Sequence, residues 1–365
     1  MATLKHMNND MAVSPIVATL VLIVVAVIGA VAVGTIMGTF STDVSKQANA
    51  EGAASSASNE IIIAGSTTVQ PASEAIAKLY MAAHPGTKIT VQGGGSDAGI
   101  ASALMDIVDI GAASKALPSD SKYKDLNTYQ IGGSAVVVIV NKDSAMGNIT
   151  AEALQNAYGT ATSGKVSFTI GTDGNVTAVG SGTEYTLYQR SEGSGTEETF
   201  AEWIGNYDTT HNFKDAKSVD ASSAVGASGN SGVLSAVAAG TSSAPTLGFV
   251  DYGYATSGDK ANGVKIVGLS SSKTESVAAV SSLTAMVPDA ASASTLKTQI
   301  LDSLKGSKMF PLDTVSGGKE LSRPLNYITN GEPNSVVKNF INYARSPESK
   351  ATINEVGMFS ITEFA

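Results

Sequence analysis

Glu60-Ile61-Ile62-Ile63-Ala64-Gly65-Ser66-Thr67-Thr68-Val69-Gln70-Pro71 passes from a β-branched apolar run, through a loop of small hydroxyl residues, into a helix start. A strand that turns straight into a helix is the opening of a βαβ unit. Ala72 to Ala83 has the amphipathic pattern of that helix, and His84-Pro85-Gly86 stops it. Working outward, Lys88-Ile89-Thr90-Val91 reads as a second strand, Gly99 to Met105 as a helix and Ile107 to Gly111 as a third strand. Ala135 to Val140 is a Val/Ile run suited to a strand covered on both faces. Thr150 to Leu154 opens a helix, Tyr185 to Arg190 is a strand and Thr196 to Ile204 a helix. Gly232 to Ala239 is a helix, Leu247 to Val250 a strand, and Asn334 to Tyr343 a late helix. This alternation predicts an α/β protein with mostly parallel sheets and ligand sites at the C-terminal ends of strands. No internal repeat of roughly 20–50 residues points to a solenoid or propeller.

Composition narrows the chemistry. The chain has 365 residues, enough for two compact units of about 150 each. A 43% hydrophobic content excludes a disordered chain, and a net charge of −9 excludes a broad nucleic-acid footprint, which needs clustered Lys and Arg. The absence of cysteine removes disulfides, thiolate metal sites, cysteine nucleophiles and thioester lipid anchors. With only His6, His84 and His211, a histidine metal site is not expected, and no cofactor is implied. There is no G-x-S-x-G elbow, no H-E-x-x-H and no Walker A pattern, so the sequence reads as a binding protein rather than an enzyme. His84, beside a helix stop, reads as a surface residue, and Trp203 as core.

Three loops share one chemistry. Gly65-Ser66-Thr67-Thr68-Val69, Gly93-Gly94-Gly95-Ser96-Asp97-Ala98-Gly99 and Arg190-Ser191-Glu192-Gly193-Ser194-Gly195-Thr196 each follow a strand and open a helix. A helix start leaves backbone N–H groups unpaired and carries partial positive charge. Glycine lets that backbone approach a ligand, and hydroxyls add donors, so such loops suit a tetrahedral oxyanion. Arg190 adds one full charge in a fork that fits two anion oxygens. Taken singly, each loop has an ordinary reading, because Ser and Thr cap helices and Gly marks turns. Gly180-Ser181-Gly182-Thr183-Glu184 nearly repeats Gly193 to Glu197, yet it runs into the Tyr185 strand and reads as a hairpin turn. Recurrence at three helix starts, with one arginine, favours anion binding.

The N-terminal part is different. Residues 1–15 form a polar leader, and 16–40 are almost wholly apolar, with no charge between Asp10 and Asp43. About 25 helical residues span a hydrocarbon core of roughly 30 Å. Residues 41–59, rich in Ser, Ala and Asn, read as a flexible tether reaching roughly 25 Å. A signal peptide cut late, near Ala48, Ala50 or Ala53, and a retained anchor both remain open. Gly34 and Gly38 form a small-xxx-small pair of the kind that lets helices approach. Asn148-Ile149-Thr150 and Asn175-Val176-Thr177 fit the N-glycosylation pattern.

Two resemblances follow from these residues. Met11-Ala12-Val13-Ser14-Pro15-Ile16-Val17 and the helix after it resemble the N-terminus of archaeal type IV pilin-like proteins. That likeness implies a leader removed on the cytoplasmic side and a helix kept as membrane anchor or filament core. Ala64 to Pro71, Gln92 to Ser96, Asp109 to Ser114, Arg190 to Thr196, Gly248 to Tyr252 and Arg323 to Pro333 together resemble the substrate-binding proteins of phosphate ABC importers. This second likeness covers residues 60–365. It implies a two-lobed, hinged, periplasmic-binding-protein-like fold with phosphate held in the cleft, here preceded by the single transmembrane helix read from residues 16–40. The lobes would be about 60–135 plus 250–365, and about 136–249. The partners it implies are inorganic phosphate and an ABC permease, with the binding domain held outside the cytoplasm at the cell membrane. A pilin-like filament subunit displaying an oxyanion-binding domain, self-assembled through its N-terminal helix, is the alternative.

By the same resemblance, Thr67, Thr68 and Val69 donate to phosphate from the first loop and Ser96 from the second. Arg190 pairs with the anion, Glu192 orients Arg190, and Ser194, Gly195 and Thr196 donate from the third loop. Ser114 stands where some family members have an aspartate that accepts the proton of hydrogen phosphate. A serine oxygen can accept without the charge, and Glu192 or Asp97 would be the carboxylates to compensate.

Overall fold

In the computed structural model, residues 59–205, 224–257, 259–270, 290–307, 310–311 and 319–365 are described. The leader, the apolar stretch 16–40, the tether up to residue 58 and His211 lie outside them. Among the described residues, no helix is long and apolar enough to cross a membrane.

The opening motif forms as the sequence predicts. Strand β1 (Asn59–Gly65) leads into helix α1 (Gln70–Ala83), which carries Pro71 in its first turn, where a missing N–H costs nothing. Strand β2 (Thr87–Gly93) lies parallel to β1, and so does β3 (Ile110–Ala113) on the other side. The third strand starts three residues later than its apolar run suggests. Asp109 explains this: its carboxylate Oδ2 accepts from the Ile62 N–H at 2.8 Å, in place of a backbone carbonyl. Helix α2 (Ser96–Leu104) starts three residues earlier than expected, because Gly95, at φ +94°, turns the chain just ahead of Ser96.

The long strand β4 (Leu126–Asn141) organises the rest. Its first part pairs antiparallel with β13 (Ser322–Asn330), and its second part pairs antiparallel with β10 (Thr246–Asp251). Beyond β10 lie β8 (Thr183–Arg190), parallel to it, then β6 (Lys165–Ile170) and β7 (Val176–Val179). The sheet order is therefore β2-β1-β3-β13-β4-β10-β8-β6-β7, with β9 (Val225–Ala227) on β8, β11 (Val264–Ile266) and β14 (Phe359–Ser360) on β4, and a separate pair of β5 (Asn148–Thr150) with β12 (Gly268–Ser270). The sheets are mixed rather than mostly parallel, since β4 and β13 run against their neighbours. The Gly180–Gly182 turn joins β7 to β8, but the two do not pair as a hairpin, because β6 lies between them.

Two hydrophobic cores flank β4. The first gathers Ile61, Ile63, Ile76, Tyr80, Tyr327 and Phe340 around β1 and α1. The second gathers Val136 to Val140 with Tyr158, Phe200, Trp203 and Phe249. It includes helix α3 (Ala151–Thr160), capped by the Thr150 hydroxyl, and helix α4 (Gly195–Ile204). Phe200 stacks on Phe249 with ring centroids 4.2 Å apart. Trp203 is fully buried there, while His84 stacks on Tyr80 at the exposed end of α1. Asn175 is buried and committed, since its Nδ2 donates to Asp173 and its Oδ1 accepts from Asn148. This pair of asparagines holds two loops together, which is a structural reason for both acceptor-like sequences.

Candidate functional site

All three hydroxyl loops meet where the two cores approach each other. On the first-core side, Gly65 is pressed against β3: a Cβ there would lie 2.3 Å from the Ala112 carbonyl. The loop can close only because Gly65 has no side chain. The Ser66 N–H donates to that same carbonyl at 2.8 Å, and the Gly95 N–H donates to the Gly65 carbonyl at 3.0 Å, tying the first two loops together. The Ser66 hydroxyl accepts from the Thr68 N–H at 3.2 Å and the Val69 N–H at 3.4 Å, and donates to Ser114 Oγ at 3.0 Å. Ser114 Oγ also lies 3.2 Å from Ser96 Oγ, which accepts from the Ser114 N–H. Ser66, Ser96 and Ser114 thus form one buried hydroxyl chain at the ends of β1, β2 and β3.

The second-core side brings the charge. Arg190 ends β8 with its side chain only 1% exposed. Its Nη1 donates to Thr196 Oγ1 at 3.1 Å and its Nη2 to Thr67 Oγ1 at 2.8 Å, so it reaches from one side to the other. Glu192 accepts from the same Nη2 and from the N–H of Gly229, which fixes the guanidinium. The Ser194 hydroxyl is used as the α4 cap and accepts from the Thr196 N–H at 3.1 Å. Gly195, at the first position of α4, lies against Ser114.

Several groups that meet at this spot were not singled out from the sequence. Arg323, near the start of β13, has a side chain 2% exposed. Its Nη2 lies 3.0 Å from both Thr68 Oγ1 and Thr196 Oγ1, and 2.9 Å from Asp251 Oδ2. Thr68 Oγ1 also accepts from Asn230 Nδ2 at 2.9 Å and lies 3.2 Å from Thr196 Oγ1. Asp251 is fully buried; burial pushes its carboxyl up, against the pull of Arg323, the Gly253 N–H and the Ser134 hydroxyl. Burial pushes the Arg323 guanidinium down, although arginine stays charged in proteins. Tyr254 donates to the Thr67 carbonyl at 2.8 Å, and burial raises its phenol well above the ordinary value. The signal available was a lone charge in each of two strands: Asp251 closes β10 and Arg323 stands second in β13.

Lys115, next to Ser114, bridges Asp97 on α2 and Glu198 on α4. Burial pulls its ammonium down, and the two carboxylates more than offset this, so its pKa is raised. Asp97 is therefore occupied by Lys115, and Glu192 by Arg190. Among the described residues, no cluster of His, Cys, Asp and Glu suits a metal ion.

A donor-rich spot of this kind, walled by two cores that share one crossing strand on a two-lobed α/β fold, has chemistry suited to an anion. A family model, PBP superfamily domain, matches residues 49–348. The chain belongs to the PBP superfamily. Among curated relatives of this PBP-superfamily chain, phosphate-binding protein PstS 2 of Streptococcus agalactiae is 29% identical over 101 residues. That match covers 28% of this chain and about a third of the relative's length, 34%. A putative phosphate ABC transporter substrate-binding protein from Clostridium perfringens, solved with bound phosphate, superposes with a TM-score of 0.59 at 20% identity, covering 83% of this chain and 100% of that one. An ABC-type phosphate transport receptor from Vibrio cholerae gives 0.53 at 23% identity, covering 82% and 99%. At these identities the structural likeness speaks for the fold, which is the mixed α/β two-lobed PBP fold.

Proposed function

We propose that this chain is an extracytoplasmic receptor that captures inorganic phosphate between its lobes and delivers it to an ABC permease. One observation carries the reading: the buried Arg190 guanidinium donates both to Thr67 on one side and to Thr196 on the other, in the midst of hydroxyl donors from three helix starts. Charge-assisted donors fixed around one point favour a compact anion with several oxygens. The phosphate-binding names of the Streptococcus relative and of the Clostridium and Vibrio structures support the same ligand. Converging donors with no group placed to attack the anion support a receptor that holds its ligand unchanged.

The uncharged stretch 16–40 supports a retained membrane anchor, with 41–59 as tether. The likeness of Met11 to Val17 and the apolar stretch after them to pilin-like N-termini supports a second use of that stretch, as a filament core. Regular filaments of purified protein in electron micrographs would favour the second; single particles would favour the anchor.

Titration calorimetry of the purified chain with phosphate tests the receptor reading. We expect one-to-one binding that Arg190→Ala abolishes. Failure of phosphate, sulfate and arsenate alike to bind would contradict it.

A further inference from the structure

We infer that Arg323 is a second guanidinium of the oxyanion site, and that the site takes tetrahedral dianions whether or not they carry a proton, sulfate as well as hydrogen phosphate. The inference rests on the oxyanion reading above.

A buried ion pair that only locked the fold would lay the arginine fork two-pronged on its carboxylate. Arg323 does not do this. Only Nη2 touches Asp251, and the same nitrogen reaches Thr68 and Thr196, the residues that Asn230 and Arg190 also address. Nε and Nη1 of Arg323, and Nε of Arg190, are buried without a hydrogen-bond partner. Buried arginine donors are rarely left so, and an anion with several oxygens is the ligand that suits them. The two guanidiniums also repel each other across this small space, which an anion between them relieves.

The acceptor side sets selectivity. Hydrogen phosphate carries one O–H that needs an acceptor, and sulfate carries none. A free carboxylate facing the anion would therefore welcome the first and repel the second. Here Glu192, Asp251 and Asp97 each already hold a donor, and so does Glu197, which accepts from the Arg190 N–H. Glu192 is held by Arg190 and the Gly229 N–H, Asp251 by Arg323, Ser134 and the Gly253 N–H, and Asp97 by Lys115. The group that lies against the start of α4, at Gly195, is the Ser114 hydroxyl, in contact with Ser66 and Ser96. A hydroxyl turns to accept from a P–OH or to donate to a bare oxygen.

Calorimetric titration of the purified full-length chain with sodium phosphate and sodium sulfate, at equal pH and ionic strength, tests this. Both should bind one-to-one, with dissociation constants within about tenfold of each other. Ser114→Asp should weaken sulfate at least ~tenfold more than phosphate. Arg323→Lys keeps the charge beside Asp251 and should weaken both anions roughly 30-fold or more. Should that variant fail to fold, the wild-type chain serves. It has three arginines, so the side-chain Nε–H resonances of Arg190 and Arg323 are separable from that of Arg345. Both should shift on adding sulfate. Phosphate binding with sulfate excluded overturns this inference and leaves the receptor reading standing. An Arg323 signal unmoved by either anion, or wild-type affinity in Arg323→Lys, also overturns it. Failure of both anions to bind removes the receptor reading itself.

Discussion

Gly195 rests directly on Ser114: a Cβ on Gly195 would lie 2.7 Å from both the carbonyl and the hydroxyl oxygen of Ser114. The two residues sit on different cores, one at the start of α4 and the other at the end of β3. Their contact is where the lobes come together, and it tolerates no added atom unless the lobes part.

Gly195→Ala should therefore oppose closure without harming the fold. Alanine suits a first-turn helical position, and the clash arises only across the cleft. We expect a melting temperature near wild type without ligand, and phosphate affinity reduced by about tenfold or more, as when a bound state must open a contact worth ~1.4 kcal/mol. Differential scanning calorimetry and isothermal titration check the two parts.

Lys115 joins the lobes by charge, through Asp97 on one side and Glu198 on the other. Lys115→Met should leave each core intact and shift unliganded molecules toward open forms, seen as a larger radius of gyration by small-angle scattering. The sign with pH follows from the raised pKa. The stabilisation is fully present below the ordinary lysine value of 10.5 and is lost as pH rises through the higher folded value. Wild type should accordingly show no opening between neutral pH and pH ~9.

Asp251→Ala leaves Arg323 as a buried charge without its carboxylate. Removing one partner of a buried pair costs about 3–5 kcal/mol. Urea denaturation of wild type and variant should differ by that amount. A loss below ~1 kcal/mol would mean that Arg323 finds water instead.

Phe249→Ala removes the ring that stacks on Phe200 in the second core. Deleting a fully buried aromatic side chain costs about 3–5 kcal/mol, including the cavity left behind. The loss should appear in the denaturant midpoint with an unchanged slope.

Much of this arrangement was legible in the sequence because it is local. A strand, a small hydroxyl loop and a helix start lie within a dozen residues, so Ser66 to Val69, Ser96 and Arg190 to Thr196 announce themselves. What stayed hidden is non-local. Arg323 meets Thr68, Thr196 and Asp251 only because β13 and β10 both flank β4, a pairing that no local pattern encodes. The same holds for the mixed sheet, since the apolar run from Ala135 to Val140 shows burial on both faces but not strand direction. Lys115 was likewise silent, because its two carboxylates come from separate helices. Asn175 shows the same contrast within one residue: its acceptor pattern is local, while its bond to Asn148 comes from the fold.

A crystal structure of the chain grown with phosphate tests the central claim most directly. The account predicts one tetrahedral anion within hydrogen-bond distance of Arg190, with Thr67 and Thr196 around it. An anion bound elsewhere on the surface, with the Arg190 region unchanged, would contradict it.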